Sequence, residues 1–145
     1  MLADSARENG VQPVTKPGEV AAIVKAVVRV AEHWRLSDCE AAGLLGVGPR
    51  TWSRMKSATF NGTLNRDRVT RASLIIGIYK GLRLLFNGPL THDWPTLPNK
   101  GDLYAGGRPI DFMIAGGIPA MALVRQQVDG LLGPDQSAPG SSLSQ

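Results

Sequence analysis

The fold of this chain is decided by residues 36–56, which read LSDCEAAGLLGVGPRTWSRMK. Ser37 begins a Ser-Asp-Cys-Glu run that can form a capping box at a helix start, and Gly46 can end that helix. A short turn follows, and Pro49 stands at the favoured first position of a second helix. Two helices joined by a short glycine-containing turn are typical of a helix-turn-helix unit.

The second helix of this unit carries side chains that suit contact with DNA. Its apolar residues, Trp52 and Met55, are predicted to face the core. The outward residue types can reach phosphates and base edges, and they are the predicted DNA-binding residues: Arg50, Thr51, Ser53, Arg54 and Lys56. Tri-helical units of this outline also serve purely as packing modules, so both roles remain open.

Positive charge is concentrated around the same stretch. The chain has 16 Lys+Arg against 12 Asp+Glu, which gives a formal charge of +4 and a pI near 9.6. Six of the basic residues lie between residues 50 and 71, together with a single acid, Asp67. This distribution favours an anionic partner, although a solvated helix face explains the same pattern.

Outside this stretch, apolar residues recur at spacings of three and four, which predicts an all-α protein. A first helix is predicted over residues 19–34 and a long fourth helix over residues 66–86. Two short helices are predicted to begin at Pro109 and Pro119. The inward residues are expected to be Ile23, Val27, Val30 and Trp34 in the first helix, Phe112, Ile114 and Ile118 around the two prolines, and Ala120, Val124, Val128 and Leu131 in the last.

The composition also predicts how the chain is organised. Residues 1–18 and 134–145 are polar and rich in Pro, Gly and Ser, so they are predicted to be disordered tails. Between them we expect a helix-turn-helix-like unit over residues 19–62 and a second helical unit over residues 63–133.

The same composition argues against a membrane protein and against an enzyme. No apolar stretch of about 18 residues and no secretory signal is present, so a cytoplasmic protein is expected. His33 lies beside Glu32 on a polar helix face, and His92 could pair with Asp93, but no nucleophile is near either histidine, and no glycine loop follows a strand. We therefore expect no catalytic residue, no metal site and no cofactor. The single cysteine, Cys39, is expected to be a buried, unreactive thiol.

The C-terminal half contains several motifs in a distinctive order. Leu82-Arg83-Leu84-Leu85-Phe86 ends a long apolar helix, and His92-Asp93-Trp94 and Leu97-Pro98-Asn99 follow it. Next come Gly106-Gly107-Arg108-Pro109-Ile110-Asp111-Phe112-Met113 and Gly116-Gly117, before a final apolar helix. With the helix-turn-helix-like segment upstream, this order resembles the MbcA/ParS/Xre antitoxins over roughly residues 19–133.

The resemblance implies about seven helices, with a C-terminal unit that binds a toxin, often in dimers or toxin–antitoxin hetero-oligomers. The toxin would be a RES-domain enzyme that degrades NAD or transfers its ADP-ribose, and the antitoxin would block the NAD cleft without a cofactor of its own. If the helix-turn-helix contacts operator DNA, autoregulation would follow. The toxin-binding candidates are Trp94, Asn99, Arg108, Asp111, Gly116 and Gly117.

Two questions stay open at this point. Trp94 suits either a core position or an interface anchor. The main alternative function is a stand-alone helix-turn-helix transcriptional regulator, whose C-terminal half would only dimerise it.

Overall fold

The computed structural model describes residues 11–133, so residues 1–10 and the predicted tail 134–145 lie outside it. The described residues form six α-helices and one 3-10 turn, which confirms the all-α prediction and comes close to the expected seven helices. None of these helices is long and apolar enough to span a bilayer. In chain order the elements are α1 (Pro17–His33), α2 (Asp38–Leu45), α3 (Pro49–Lys56), α4 (Arg66–Leu85), α5 (Leu90–Asp93), the 3-10 turn (Trp94–Thr96) and α6 (Pro109–Leu132).

The described chain divides into two compact units between Ile76 and Gly77, inside α4, and not at the expected position between residues 62 and 63. We call the part up to Ile76 unit 1 and the part from Gly77 unit 2. Val14, inside the predicted tail of residues 1–18, exchanges two backbone hydrogen bonds of 2.9 Å with Leu64. The segment around Val14 is therefore ordered, although its polar composition predicted a disordered tail.

In unit 1, α1 buries a stripe of valines against α3. The stripe consists of Val20, Val24, Val27 and Val30, at spacings of four, three and three. Ile23, expected to face inward, lies at the edge of the stripe and is half-buried, because Val24 takes the central position.

The helix-turn-helix follows the local sequence signals closely. The Ser37 Oγ accepts from the Glu40 N–H at 3.0 Å and the Glu40 carboxylate accepts from the Ser37 N–H at 2.9 Å, which completes the capping box. Gly46 ends α2 in the left-handed conformation, with φ of 76°. Cys39 is exposed, so the prediction of a buried thiol is wrong: the buried face of α2 begins only at Ala41.

In unit 2, a kink divides α6 into two segments, and each segment has buried residues of its own. Gly117 has φ of 68° and ψ of −150°, which interrupts the helix before Pro119 and resets its inward register. The fully buried residues are therefore Ile110, Met113, Met121, Val124 and Val128. Phe112, Ile114 and Ile118, which were expected to face inward, are only half-buried. Leu131, also expected inward, is 58% exposed near the helix end.

Candidate functional site

The exposed face of α3 brings the predicted DNA-binding residues together. Trp52 and Met55 are buried, as predicted, and they anchor the helix. The opposite side of the helix carries Arg50, Ser53, Arg54 and Lys56, all exposed, with Thr51 half-buried beside them. Arg50 and Arg54 form no ion pair with any residue between 11 and 133. Two cationic side chains of α3 can therefore reach an anion without breaking an internal bond.

Lys56 differs from these arginines because its ammonium group forms an ion pair with another residue of unit 1. Its Nζ donates to the Asp38 Oδ1 at 2.8 Å, and the same oxygen accepts from the Trp52 Nε1 at 3.2 Å. The hydrogen bond from Lys56, with a smaller contribution from Trp52, holds the pKa of Asp38 below its ordinary value. Asp38 thus links the first turn of α2 to α3. From the sequence, Asp38 was predicted only to be part of the Ser-Asp-Cys-Glu capping run.

Arg71, one of the six clustered basic residues, is also used internally. Its Nη1 donates to the Leu44 carbonyl oxygen at 3.2 Å, and its Nε donates to the Asp67 carboxylate at 2.9 Å. The side chain lies against Gly46, where a Cβ would come within 2.9 Å of the Arg71 Nε. Arg71 therefore satisfies a carbonyl at the C-terminal end of α2. The Asp67–Arg71 spacing of four residues was the only signal of this role in the sequence.

In unit 2, Asn99 closes a loop that ends at Gly107. The Asn99 N–H donates to the Gly107 carbonyl, and the Gly106 N–H donates to the Asn99 carbonyl, both at 2.9 Å. The Asn99 side-chain oxygen accepts from the Gly101 N–H at 2.8 Å, which forms an Asx turn. We call residues 99–107 the Asn99 loop. Gly106 permits the chain reversal of this loop with φ of 88°.

Tyr104 fixes this loop to α6, and sequence reasoning missed it. The ring is buried and makes edge-to-face contacts with Trp94 and Phe112, at centroid distances of 5.9 and 5.5 Å. Its hydroxyl donates to the Gln127 side-chain oxygen on α6. Burial raises the pKa of Tyr104 to about 12. The available signal was a single aromatic residue within the turn-forming segment of residues 101–107.

Arg108 and Asp111 pair with each other at the start of α6. The Arg108 Nε and Nη2 donate to the two Asp111 carboxylate oxygens, each at 2.9 Å. This bidentate contact holds the pKa of Asp111 below its ordinary value. Asp111 is exposed and Arg108 half-buried, so the pair presents a fixed dipole next to the Asn99 loop.

The other toxin-binding candidates mainly shape the backbone. Trp94 is half-buried against Tyr104, and Asn99 uses its side chain inside the loop. Gly117 forms the kink of α6, and a Cβ on the exposed Gly116 would lie 2.5 Å from the Ala120 Cβ. These residues define the shape of the surface, whereas Arg108 and Asp111 supply its polar groups.

All the large apolar side chains that are exposed among residues 11–133 belong to unit 2. They are Leu84, Leu90, Leu97, Leu123 and Leu131. Leu123 and Leu131 flank Gln127 at spacings of four, so they share the side of α6 that holds Tyr104. We call Leu123 and Leu131 the leucine surface.

Comparison with known proteins agrees with the division into units. The family model described as the antitoxin Xre-like helix-turn-helix domain matches residues 20–77, which spans almost all of the described unit 1 from α1 onwards. A relative from Sinorhizobium fredii, named uncharacterized protein y4oB, is 36% identical over 126 residues, which cover 86% of this chain and 95% of the relative. The chain therefore belongs to the family of this Sinorhizobium protein and carries an antitoxin Xre-like helix-turn-helix domain over residues 20–77.

Proposed function

We propose that this protein is the antitoxin of a toxin–antitoxin pair and that unit 2 binds and neutralises a RES-domain toxin that consumes NAD. The antitoxin-type helix-turn-helix domain supports the general role. The order of motifs from Leu82 to Gly117, which resembles the MbcA/ParS/Xre antitoxins, supports the choice of toxin. The antitoxin would act in the cytoplasm, as a homodimer or within a toxin–antitoxin hetero-oligomer, by covering the NAD cleft.

The observation that carries this proposal is that, among residues 11–133, the exposed large apolar side chains all belong to unit 2. Full burial of a leucine side chain contributes about 1.5–3 kcal/mol. Protein interfaces combine an apolar centre with polar groups that orient the partner. The leucine surface can supply the apolar centre, and the Arg108–Asp111 pair, at the end of the Asn99 loop, can supply the orienting charges.

The test is an NAD-consumption or ADP-ribosylation assay in which the purified toxin is titrated with full-length variants. Leu123→Asp/Leu131→Asp should inhibit at least about 100-fold less well, because two buried contacts of roughly 1.4 kcal/mol each correspond to two factors of ten. Leu90→Asp is the matched control, since Leu90 is 41% exposed at the start of α5 and is not part of the leucine surface. Full inhibition by the double variant would contradict the assignment of the toxin to the leucine surface.

A second function, operator binding through α3, is favoured by the free guanidinium groups of Arg50 and Arg54. Side chains of this kind replace condensed counterions on phosphates, so affinity should fall as salt rises. Arg50→Ala/Arg54→Ala should bind the promoter fragment about ten- to a hundredfold more weakly at low salt. Arg29→Ala, which removes an exposed charge from α1, is the control.

The two functions are separable by experiment. Operator binding without toxin inhibition would support the alternative, a stand-alone transcriptional regulator. If the wild type does not bind its own promoter fragment, alone or with the toxin, the helix-turn-helix has only a structural role.

A further inference from the structure

We propose that Asp38 restrains DNA binding by holding Lys56 of α3 in an internal ion pair, so that Lys56 is withheld from the phosphates. This inference rests on the proposed DNA-binding role of α3. It assigns to Asp38 a regulatory effect at that site and predicts that the wild-type affinity lies below what the residues of α3 could achieve.

The position of Asp38 is fixed from both sides. The capping box of Ser37 and Glu40 holds the start of α2, where Asp38 is the first helical residue. The Asp38 Oδ1 also accepts from the Nε1 of Trp52, whose side chain is buried. An ordinary surface ion pair must order two flexible side chains and gains little. Here the carboxylate is already positioned, so only Lys56 must be ordered.

This arrangement sets up a competition between two anions for one ammonium group. The Lys56 Nζ lies 2.8 Å from the Asp38 Oδ1, which is a charge-assisted hydrogen bond. A DNA phosphate must either break that bond or leave Lys56 in place. While the bond persists, Lys56 and Asp38 together add no net charge to the DNA-facing surface. Arg50 and Arg54 are then the α3 cations that contact phosphates.

Asp38→Asn separates the two functions of the carboxylate. The asparagine amide keeps an oxygen that can accept from the Trp52 Nε1, but it removes the negative charge that holds Lys56. Each additional phosphate contact steepens the dependence of log affinity on log salt by about 0.9. We therefore expect Asp38→Asn to steepen this slope by about 0.9 and to bind the promoter fragment about three- to tenfold more tightly at low salt.

Two further variants show whether the effect passes through Lys56. Glu32→Gln is a charge-matched control, because Glu32 lines the same surface depression as Asp38 and Lys56. It should leave the salt slope unchanged. In a Lys56→Gln background, Asp38→Asn should no longer change the slope. Lys56→Gln alone should also leave the wild-type slope unchanged, and this measurement holds even if Asp38→Asn fails to fold.

The outcomes are distinguishable. Suppose that the wild type binds DNA and that Lys56→Gln makes the salt slope shallower by about 0.9. Lys56 would then already contact a phosphate, which would overturn the restraint by Asp38 but not the DNA-binding role. Suppose instead that Asp38→Asn still steepens the salt slope in the Lys56→Gln background. The effect would then come from the loss of a negative charge acting at long range and not from Lys56, which would also overturn the restraint. If neither the wild type nor Asp38→Asn binds DNA, both the DNA-binding role and the restraint are wrong.

Discussion

Two glycines one turn apart on α4 provide a direct test of how unit 2 is packed. Gly77 and Gly81 both face α6. A Cβ at Gly81 would come within 2.6 Å of the Val128 Cγ1, closer than real Cβ contacts come, whereas a Cβ at Gly77 would meet the guanidinium of Arg125. Val128 is fully buried. The same substitution therefore meets a rigid neighbour at one position and a flexible one at the other.

The magnitudes follow from this difference. Replacing a helix-interior glycine with alanine gains about 1 kcal/mol of intrinsic helix stability at either site. At Gly81 the new methyl must push Val128 away, and a valine in a helix has essentially one side-chain rotamer. Such overpacking costs about 1–3 kcal/mol. At Gly77 the Arg125 side chain can swing aside and loses at most its exposed pair with Asp129, worth about 0.3–0.5 kcal/mol.

We expect Gly81→Ala to lower the free energy of unfolding by about 1 kcal/mol and Gly77→Ala to raise it by up to about 1 kcal/mol. The helix-propensity gain cancels between the two variants, so their difference measures the overpacking at Gly81 less any loss of the Arg125–Asp129 pair at Gly77. The assay is urea unfolding followed by far-ultraviolet circular dichroism, with a check that both variants keep the wild-type slope. Equal effects of the two substitutions would refute the close approach of α4 and α6 at Gly81.

Three further substitutions test single contacts by thermal or urea unfolding. Arg71→Ala should cost about 1–2 kcal/mol because the Leu44 carbonyl at the end of α2 loses its charged donor, while Arg68→Ala should cost almost nothing; equal losses would argue against a stabilising contact between Arg71 and that carbonyl. Ala58→Gly should stabilise by about 0.5 kcal/mol, since Ala58 has φ of 62°, a strained value that glycine adopts freely; a loss would contradict this. Tyr104→Phe should destabilise by about 1 kcal/mol through its lost bond to Gln127. Because burial raises the pKa of Tyr104 from 10.0 to about 12, the folded state keeps the phenol proton more tightly than the unfolded chain. The advantage of the wild type over Tyr104→Phe should therefore be complete below pH 10 and shrink as the pH rises towards 12; a constant difference would be inconsistent with burial of the phenol.

The helix boundaries that the sequence predicted correctly depend on local signals. The capping run at Ser37, the left-handed glycine at Gly46 and the proline at Pro49 act within one helical turn of the boundary they define. They predicted the bounds of α2 to within a residue and those of α3 as observed. The division of α3 into a buried Trp52–Met55 face and an exposed basic face follows equally from helical periodicity.

The tertiary structure decided which side chains on those helices are free. Lys56 and Arg71 look like their basic neighbours in sequence, but each meets a partner from α2 that lies 18 or 27 residues away. Tyr104 becomes the anchor of a loop only because α6 returns Gln127 to it. Leu131 continues an apolar pattern and is nevertheless exposed, because burial depends on what packs against a helix face. Periodicity determines which face is apolar, whereas only the packed chain determines where that face is covered and where it is left for a partner.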